Sequence, residues 1–368
     1  MPDLVSTKRT GINIAAQWIQ HFVLVAVNLF LVGYAIAKVG DENYGGWTVI
    51  VSIIGYTTLL APGISVALQH YVAAHATRSD KLGLGRTLSS AYVIYGAAAV
   101  VALPICLMIS RAYPMIFPKV PALAAAECSD ALVWVGAGMV LVILNLPVEG
   151  VLLGLQKHYY RSITESVSVL VRAAVVVATF AWFGPSLAYL GAAFFGGACS
   201  RVVLSLFFLH KVEPGLRFRP ALISKTSLRQ IMSYAGHSTI WTICTVLIRE
   251  SGPIITVWML GSREATYYYV GARLIFSFGG LIASAGSVFV PVTSSLWASR
   301  DLVRLRSVLI RGARFSALLS IPGAACAVLF GQAVLRHWVG PGFDTAFSVL
   351  VAIAIGRLAT WSFVVPEA

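Results

Sequence analysis

Charge is the scarcest commodity in this sequence. Only 11% of the 368 residues are Asp, Glu, Lys or Arg, against roughly a quarter in ordinary soluble domains. Acidic side chains are rarer still, 14 against 27 basic ones, while 58% of the residues are hydrophobic. A soluble chain of this length could not keep that much apolar surface from water. Cysteine is also sparse. Cys106, Cys128, Cys199, Cys244 and Cys326 form no close pair of the kind that holds a metal, and they read as small core residues. No metal or cofactor is expected. The chain lacks the alternating period-2 pattern of a membrane barrel. It also lacks a phosphate-cradling glycine loop, an HExxH pair and a strand-turn-helix serine elbow. The acidic pair Asp41-Glu42 sits in a turn. An enzyme is therefore not expected, and an ATP-driven pump would need a soluble motor domain that the sequence does not contain. The apolar stretch after Lys8 and Arg9 is too long for a cleaved signal peptide, and no small-residue cleavage site follows it.

What the sequence does hold is long apolar runs. Many reach about 20 residues or more, enough to cross a bilayer as helix, and helix satisfies its own backbone groups in lipid. Hydropathy predicts an all-α polytopic membrane protein of about ten transmembrane helices, over approximately 11–38, 45–75, 85–110, 131–155, 160–183, 186–210, 228–259, 265–297, 307–331 and 345–364. The longest connections are 111–130 and 211–227. One set of loops carries most of the Lys and Arg, among them Lys8, Arg9, Arg78, Lys81, Arg86, Lys157, Arg161, Lys211 and Arg217. The opposite set carries few: Arg111, Lys119, Arg263 and Arg336. The basic balance is a topology signal, not a nucleic-acid footprint. It places the N-terminus in the cytoplasm. The basic, partly amphipathic segment 212–229 is expected on the anionic inner leaflet, with membrane lipids as its partners.

An internal repeat organises the runs. Val39-Gly40-Asp41-Glu42-Asn43-Tyr44 is echoed by Leu260-Gly261-Ser262-Arg263-Glu264-Ala265-Thr266-Tyr267. Each passage is a long helix, a glycine, charges, then an aromatic opening the next helix. Placing Gly40 on Gly261 pairs the first helix with the seventh and gives parallel six-helix repeats, a two-lobe transporter architecture. The expected division is a six-helix N-terminal lobe over 1–210, a basic cytoplasmic linker over 211–227 and a C-terminal lobe of about four helices over 228–368. Two full lobes need about twelve helices, so the second lobe reads as truncated: a fragment, or a genuinely short variant.

Polar groups within the runs mark where a cavity would lie. Asn13, Gln17, His21 and Asn28 share one face of the first helix. The repeat sets Gln17, His21 and Asn28 opposite Ser238, Thr242 and Arg249 of the seventh. The stripes line a shared cleft or are interhelical hydrogen bonds. Arg249 and Glu250 lie deep in an apolar run, where ionisable groups are costly and face polar interiors. Adjacent helical residues point about 100° apart and need not pair. Arg249 is the first choice for an anion contact, since its fork suits phosphate oxygens; the alternative is a structural ion pair with Glu149 or Glu250. Arg172 and Arg273 could reach the same cavity, whereas Arg201 and Glu165 read as structural or snorkelling charges. Buried Arg outnumbers buried Glu, which favours an anionic cargo. Pro62, Pro147 and Pro291 could kink their helices.

Four passages carry a family resemblance: Gly40 to Trp47; Gly63-Ile64-Ser65-Val66-Ala67-Leu68-Gln69-His70-Tyr71-Val72-Ala73; Gly154-Leu155-Gln156-Lys157; and Tyr268-Tyr269-Val270-Gly271-Ala272-Arg273-Leu274 followed by Phe289-Val290-Pro291. In order and spacing, they resemble polysaccharide biosynthesis proteins of the multidrug/oligosaccharidyl-lipid/polysaccharide exporter superfamily, close to the O-antigen flippase type. His70 stands where relatives often have Arg. The resemblance implies two six-helix lobes around a central cavity in the bacterial cytoplasmic (inner) membrane. It also implies alternating access and movement of polyprenyl-pyrophosphate-linked sugars, in company with other polysaccharide-assembly proteins. The expected cavity set is Arg249, His21, Gln17, Asn28, Thr242, Arg273 and Arg172, with Glu149 and Glu250 as candidates for coupling to an ion gradient. The alternatives are a cation-coupled drug exporter of the same superfamily, which would favour cavity acids, and an integral-membrane glycosyltransferase or polymerase.

Overall fold

A computed structural model describes residues 7–60, 63–286, 293, 296 and 299–362. The described chain is helical, without strands. Its elements are α1 (Thr7–Val39), α2 (Asp41–Tyr56), α3 (Ile64–Thr77), α4 (Lys81–Ile116), α5 (Ala122–Gly154), α6 (His158–Phe183), α7 (Leu187–Val212), α8 (Lys225–Met259), α9 (Ser262–Gly286), α10 (Leu302–Trp338) and α11 (Asp344–Ser362). Short 3₁₀ turns cover Thr57–Leu60 and Pro220–Leu222. Polar residues cap several starts: the Asp80 carboxylate accepts the Gly83 N–H at 2.8 Å, and the Asp301 carboxylate accepts that of Arg304 at 3.1 Å. Gly40 and Gly261 hold φ of 86° and 125°. Both repeat-marking turns thus use a backbone conformation that L side chains avoid.

Two boundaries differ from expectation. The predicted second helix, 45–75, is a bent pair: Asp41–Leu59 and Ile64–Thr77 meet at 45°. The Thr57 and Thr58 hydroxyls bond back to the carbonyls of Ile54 and Gly55 at 2.6 and 2.9 Å, and such back-bonding bends helices. Gly63 sits in the left-handed region at the start of α3. The predicted connection 111–130 shrinks to 117–121 because α4 and α5 extend into it. Within the extended α5, the Glu127 carboxylate accepts the Leu187 N–H at 2.8 Å and caps the neighbouring α7. Pro62 and Pro291 lie outside the described residues, whereas Pro147 lies within α5.

Among the described residues, six helices are long and apolar enough to span a membrane: α1 from Ala15, α4, α5, α6, α7 and α10. The bent α2–α3 pair makes a seventh. The remaining three of the ten expected spans correspond to α8, α9 and α11, of which α8 carries Arg249 and Glu250 and α9 carries Arg263, Glu264 and Arg273. In the first bundle α5 packs against α3, α4 and α7, while α6 bridges α1 and α7. In the second, α9 packs against α8, α10 and α11. The two meet chiefly where α2 lies against α8 and α9. Cys106 and Cys128 are buried as expected, but Cys244 and Cys326 are exposed, so these two are not core residues.

The segment between α7 and α8 is tied to α4. The Arg219 N–H donates to Ser89 Oγ and the Ser224 N–H to Ser90 Oγ, each at 3.2 Å. The Phe218 ring meets Tyr92 edge-on. Arg217, Arg219, Lys225 and Arg229 remain exposed.

Candidate functional site

A cavity of 630 Å³ lies between the two bundles. On α1, His21, Leu24, Val25 and Asn28 line it, residues spaced to share one helix face. Val51, Ser52, Ile54 and Gly55 of α2 face them, with Arg249, Glu250 and Pro253 of α8 and Tyr268, Tyr269, Arg273 and Phe276 of α9. Glu165 of α6 completes the wall. Two pockets of 220 Å³ adjoin it, one reaching Tyr44, Trp47 and Arg172, the other Ser168, Arg172, Phe194 and Arg201. Ile54 borders all three.

The charged groups divide into paired and unpaired sets. Arg249 Nε lies 2.6 Å from Glu250 Oε1. Helical spacing alone did not require that pair; the two long side chains bend together at the cavity edge, with Glu250 seated over Gly55. Arg201 is clasped between two carboxylates. Its Nε and Nη2 reach Glu149 at 2.6 and 2.9 Å, and its Nη1 reaches Glu165 at 2.9 Å. Asn145 donates to Glu149 at 2.8 Å, and Arg161 stands 3.6 Å away. By contrast, among the described residues neither Arg172 nor Arg273 forms an ion pair. Arg273 Nε is buried without a hydrogen-bond partner there, as is His21 Nε2. The Arg273 guanidinium stands 6.0 Å from the Tyr269 ring centroid. Burying such polar atoms unsatisfied costs free energy, and Arg273 and His21 both border this cavity.

Of the expected cavity set, His21, Asn28, Arg172, Arg249 and Arg273 line these spaces, and so does Glu250. Three residues lie elsewhere. Gln17 is exposed: the cavity ends at His21, whose ring closes on Gly280 of α9 so tightly that a Cβ there would lie 2.9 Å from the imidazole. Thr242 is half-buried, two helical turns below Arg249, and outside the lining. Glu149 is buried behind Arg201, held by Asn145 and two arginines, so it faces no cavity. The side chain of Ser238 lies outside the described residues. Asn13 ties α1 to the α5–α6 connection, donating to the Gln156 carbonyl at 3.1 Å and accepting the Tyr159 N–H at 3.2 Å.

Glu165 and Arg201 do pair, as the structural reading of these charges expected, but sequence reasoning did not place them on the cavity walls, where they also lie. The signal was available on α6, where Glu165 and Arg172 are seven residues apart and share a face. Tyr44 and Tyr269, stacked edge-on at 6.2 Å, were also missed.

Polar contacts join the α1–α2 and α8–α9 turns. Asp41 Oδ2 receives Arg263 Nε at 2.9 Å and the Tyr267 hydroxyl at 3.1 Å. The Thr266 hydroxyl donates to the Asp41 carbonyl at 2.6 Å, and the Ser262 hydroxyl to that of Glu42 at 2.5 Å. Gly45 permits the crossing, since a Cβ there would fall 1.8 Å from the Ser262 carbonyl oxygen. Trp338 Nε1 of α10 also donates to the Leu29 carbonyl of α1, at 2.7 Å.

Helical bundles meeting around one arginine-bearing cavity define a polytopic membrane transporter. Solved structures share the fold. An inward-facing multidrug resistance MATE family transporter of the MOP superfamily aligns with TM-score 0.70 at 15% identity, over 95% of this chain and 81% of that one. A MOP superfamily transporter from Pyrococcus furiosus aligns with TM-score 0.59 at 16% identity, over 96% and 83%. The chain belongs to the polysaccharide biosynthesis protein family, whose model matches residues 8–297. It is 23% identical to the Bacillus subtilis (strain 168) membrane protein EpsK over 92% of this chain and 67% of that one. It is 20% identical to a Shigella flexneri protein described as an O-antigen transporter, over 88% and 75%.

Proposed function

We infer that this protein is a flippase for lipid-linked oligosaccharide, carrying a polyprenyl-diphosphate-linked polysaccharide precursor across the bacterial cytoplasmic membrane. The observation that carries the reading is the pair Arg172 and Arg273, which face the central spaces from the two bundles without carboxylate partners among the described residues. Arginine forks match phosphate oxygens. Arg172 and Arg273 therefore take the anion-holding role, and Arg249, engaged by Glu250, guides the approach. His21, Asn28 and the tyrosines supply hydrogen bonds and stacking faces for sugar rings. The lipid tail stays in the bilayer while the polar head occupies the cleft.

In this reading the N-terminus is cytoplasmic and the latched end around Asp41 faces outward. The cavity takes its cargo from the inner leaflet, and transport requires the Asp41 latch to part. No bond in the cargo is made or broken. The likeness to multidrug transporters is one of fold. Around these spaces Arg172, Arg201, Arg249 and Arg273 outnumber the carboxylates Glu165 and Glu250, and an excess of positive charge suits an anion better than a cationic drug.

Binding tests the reading directly. Protein in nanodiscs is titrated with a polyprenyl diphosphate and with the same polyprenol lacking phosphate. The diphosphate should bind with an affinity that Arg273→Ala lowers about tenfold or more, the scale of a lost charged hydrogen bond. Equal binding of the two lipids would overturn it.

A further inference from the structure

We propose that Glu165 is a built-in competitor for the substrate's phosphates, a specificity-determining carboxylate that keeps the arginine site from holding its anion too tightly. The inference rests on the flippase reading and adds a residue that sets release.

Glu165 is the carboxylate that borders both the 630 Å³ cavity and the neighbouring pocket of Arg172 and Arg201. Its side chain is 23% exposed, whereas that of Glu149, on the far side of Arg201, is 5% exposed. The two acids thus divide the work. Glu149 grips Arg201 with both oxygens and fixes it. Glu165 touches Arg201 through a single ion pair of 2.9 Å and still faces the cavity. On α6 it stands two turns from Arg172, about 10 Å along the axis.

A transporter gains nothing from indefinite hold. Arg172 and Arg273 alone would attract a diphosphate strongly in this low-dielectric setting. At a separation of about 10 Å, a negative charge opposes a phosphate held on Arg172 by an amount equivalent to roughly tenfold in affinity, at the effective dielectric of protein sites. Uniformly tight binding saturates a carrier without speeding its turnover. Glu165 therefore trades affinity for release, and biases the site against cargo of higher negative charge.

The test compares wild type, Glu165→Gln, Glu165→Ala and Glu165→Asp in proteoliposomes, reading polyprenyl diphosphate affinity, flipping KM and kcat, and thermal melting. Both neutral variants should bind about tenfold more tightly, with KM and kcat falling together. Glu165→Asp, which keeps the charge, should stay within about threefold of wild type. Folded neutral variants with unchanged or weaker binding would overturn the proposal. So would failure of both neutral variants to fold, which would make Glu165 a structural member of the Arg201 cluster. If wild type itself does not bind the diphosphate, the flippase reading fails first, and that result is distinct from either outcome.

Discussion

Arg263 and Asp41 face each other across 2.9 Å, Asp41 one residue and Arg263 two residues beyond the glycine that follows its repeat's first helix. The two turns that mark the repeat in sequence are therefore in contact in space, and in the flippase reading their contact is the outward latch. Asp41→Asn removes the charge that Arg263 and Tyr267 share. An exposed pair of this kind contributes about 1 kcal/mol or less, enough to shift a near-balanced gate a few-fold. In a background without the five cysteines, a membrane-impermeant thiol reagent applied from the latched side should modify Ser52→Cys faster when Asp41→Asn is present. An unchanged rate would show that the latch does not gate the cavity.

Gly45 sets how closely α2 and α9 approach. Gly45→Val would drive side-chain carbon into the Ser262 carbonyl, where even a Cβ would sit at 1.8 Å. Overpacking of this sort costs about 1–3 kcal/mol. The variant should melt earlier and label faster at Ser52→Cys in the same assay.

Arg201→Ala would leave buried Glu149 with only the Asn145 hydrogen bond of 2.8 Å and the longer Arg161 contact of 3.6 Å. Breaking a buried pair from one side costs about 3–5 kcal/mol. Thermal melting in detergent should fall steeply for Arg201→Ala and less for the double variant Arg201→Ala/Glu149→Gln, which removes the stranded charge.

Much of the fold was legible because spanning helices announce themselves by length and apolarity. The break between α2 and α3 was not, since threonine back-bonding at Thr57 and Thr58 leaves no hydropathy mark. The extension of α4 and α5 into 111–130 was equally hidden, since Glu127 finds its partner on α7, a contact that no one-dimensional pattern shows. The cavity was half legible. His21, Asn28, Arg249 and Arg273 stood out as polar residues at helical spacing in apolar runs. Which arginine was free for a ligand was invisible, because pairing depends on side chains from other helices: Arg249 met Glu250, Arg201 met Glu149 and Glu165, and Arg172 and Arg273 met neither.

Acid should loosen the α3–α4 turn. The Gly83 N–H, followed by His75, holds the Asp80 carboxyl below the usual aspartate value. A depressed folded-state pKa contributes stability that is present above the ordinary value and lost as pH falls through the folded one. The protection factor of the Gly83 amide, its exchange taken relative to the intrinsic rate at each pH, should therefore fall at low pH in wild type, and in Asp80→Asn it should be nearly flat over the same range.

The most direct measurement is flipping of a polyprenyl-diphosphate-linked oligosaccharide in proteoliposomes containing Arg172→Ala, Arg273→Ala, their double variant or Arg249→Ala. Each of the first two should lower kcat/KM about tenfold or more, and the double variant further still. Arg249→Ala should cost less. Flipping by the double variant at the wild-type rate would contradict the assignment of the diphosphate to these two arginines.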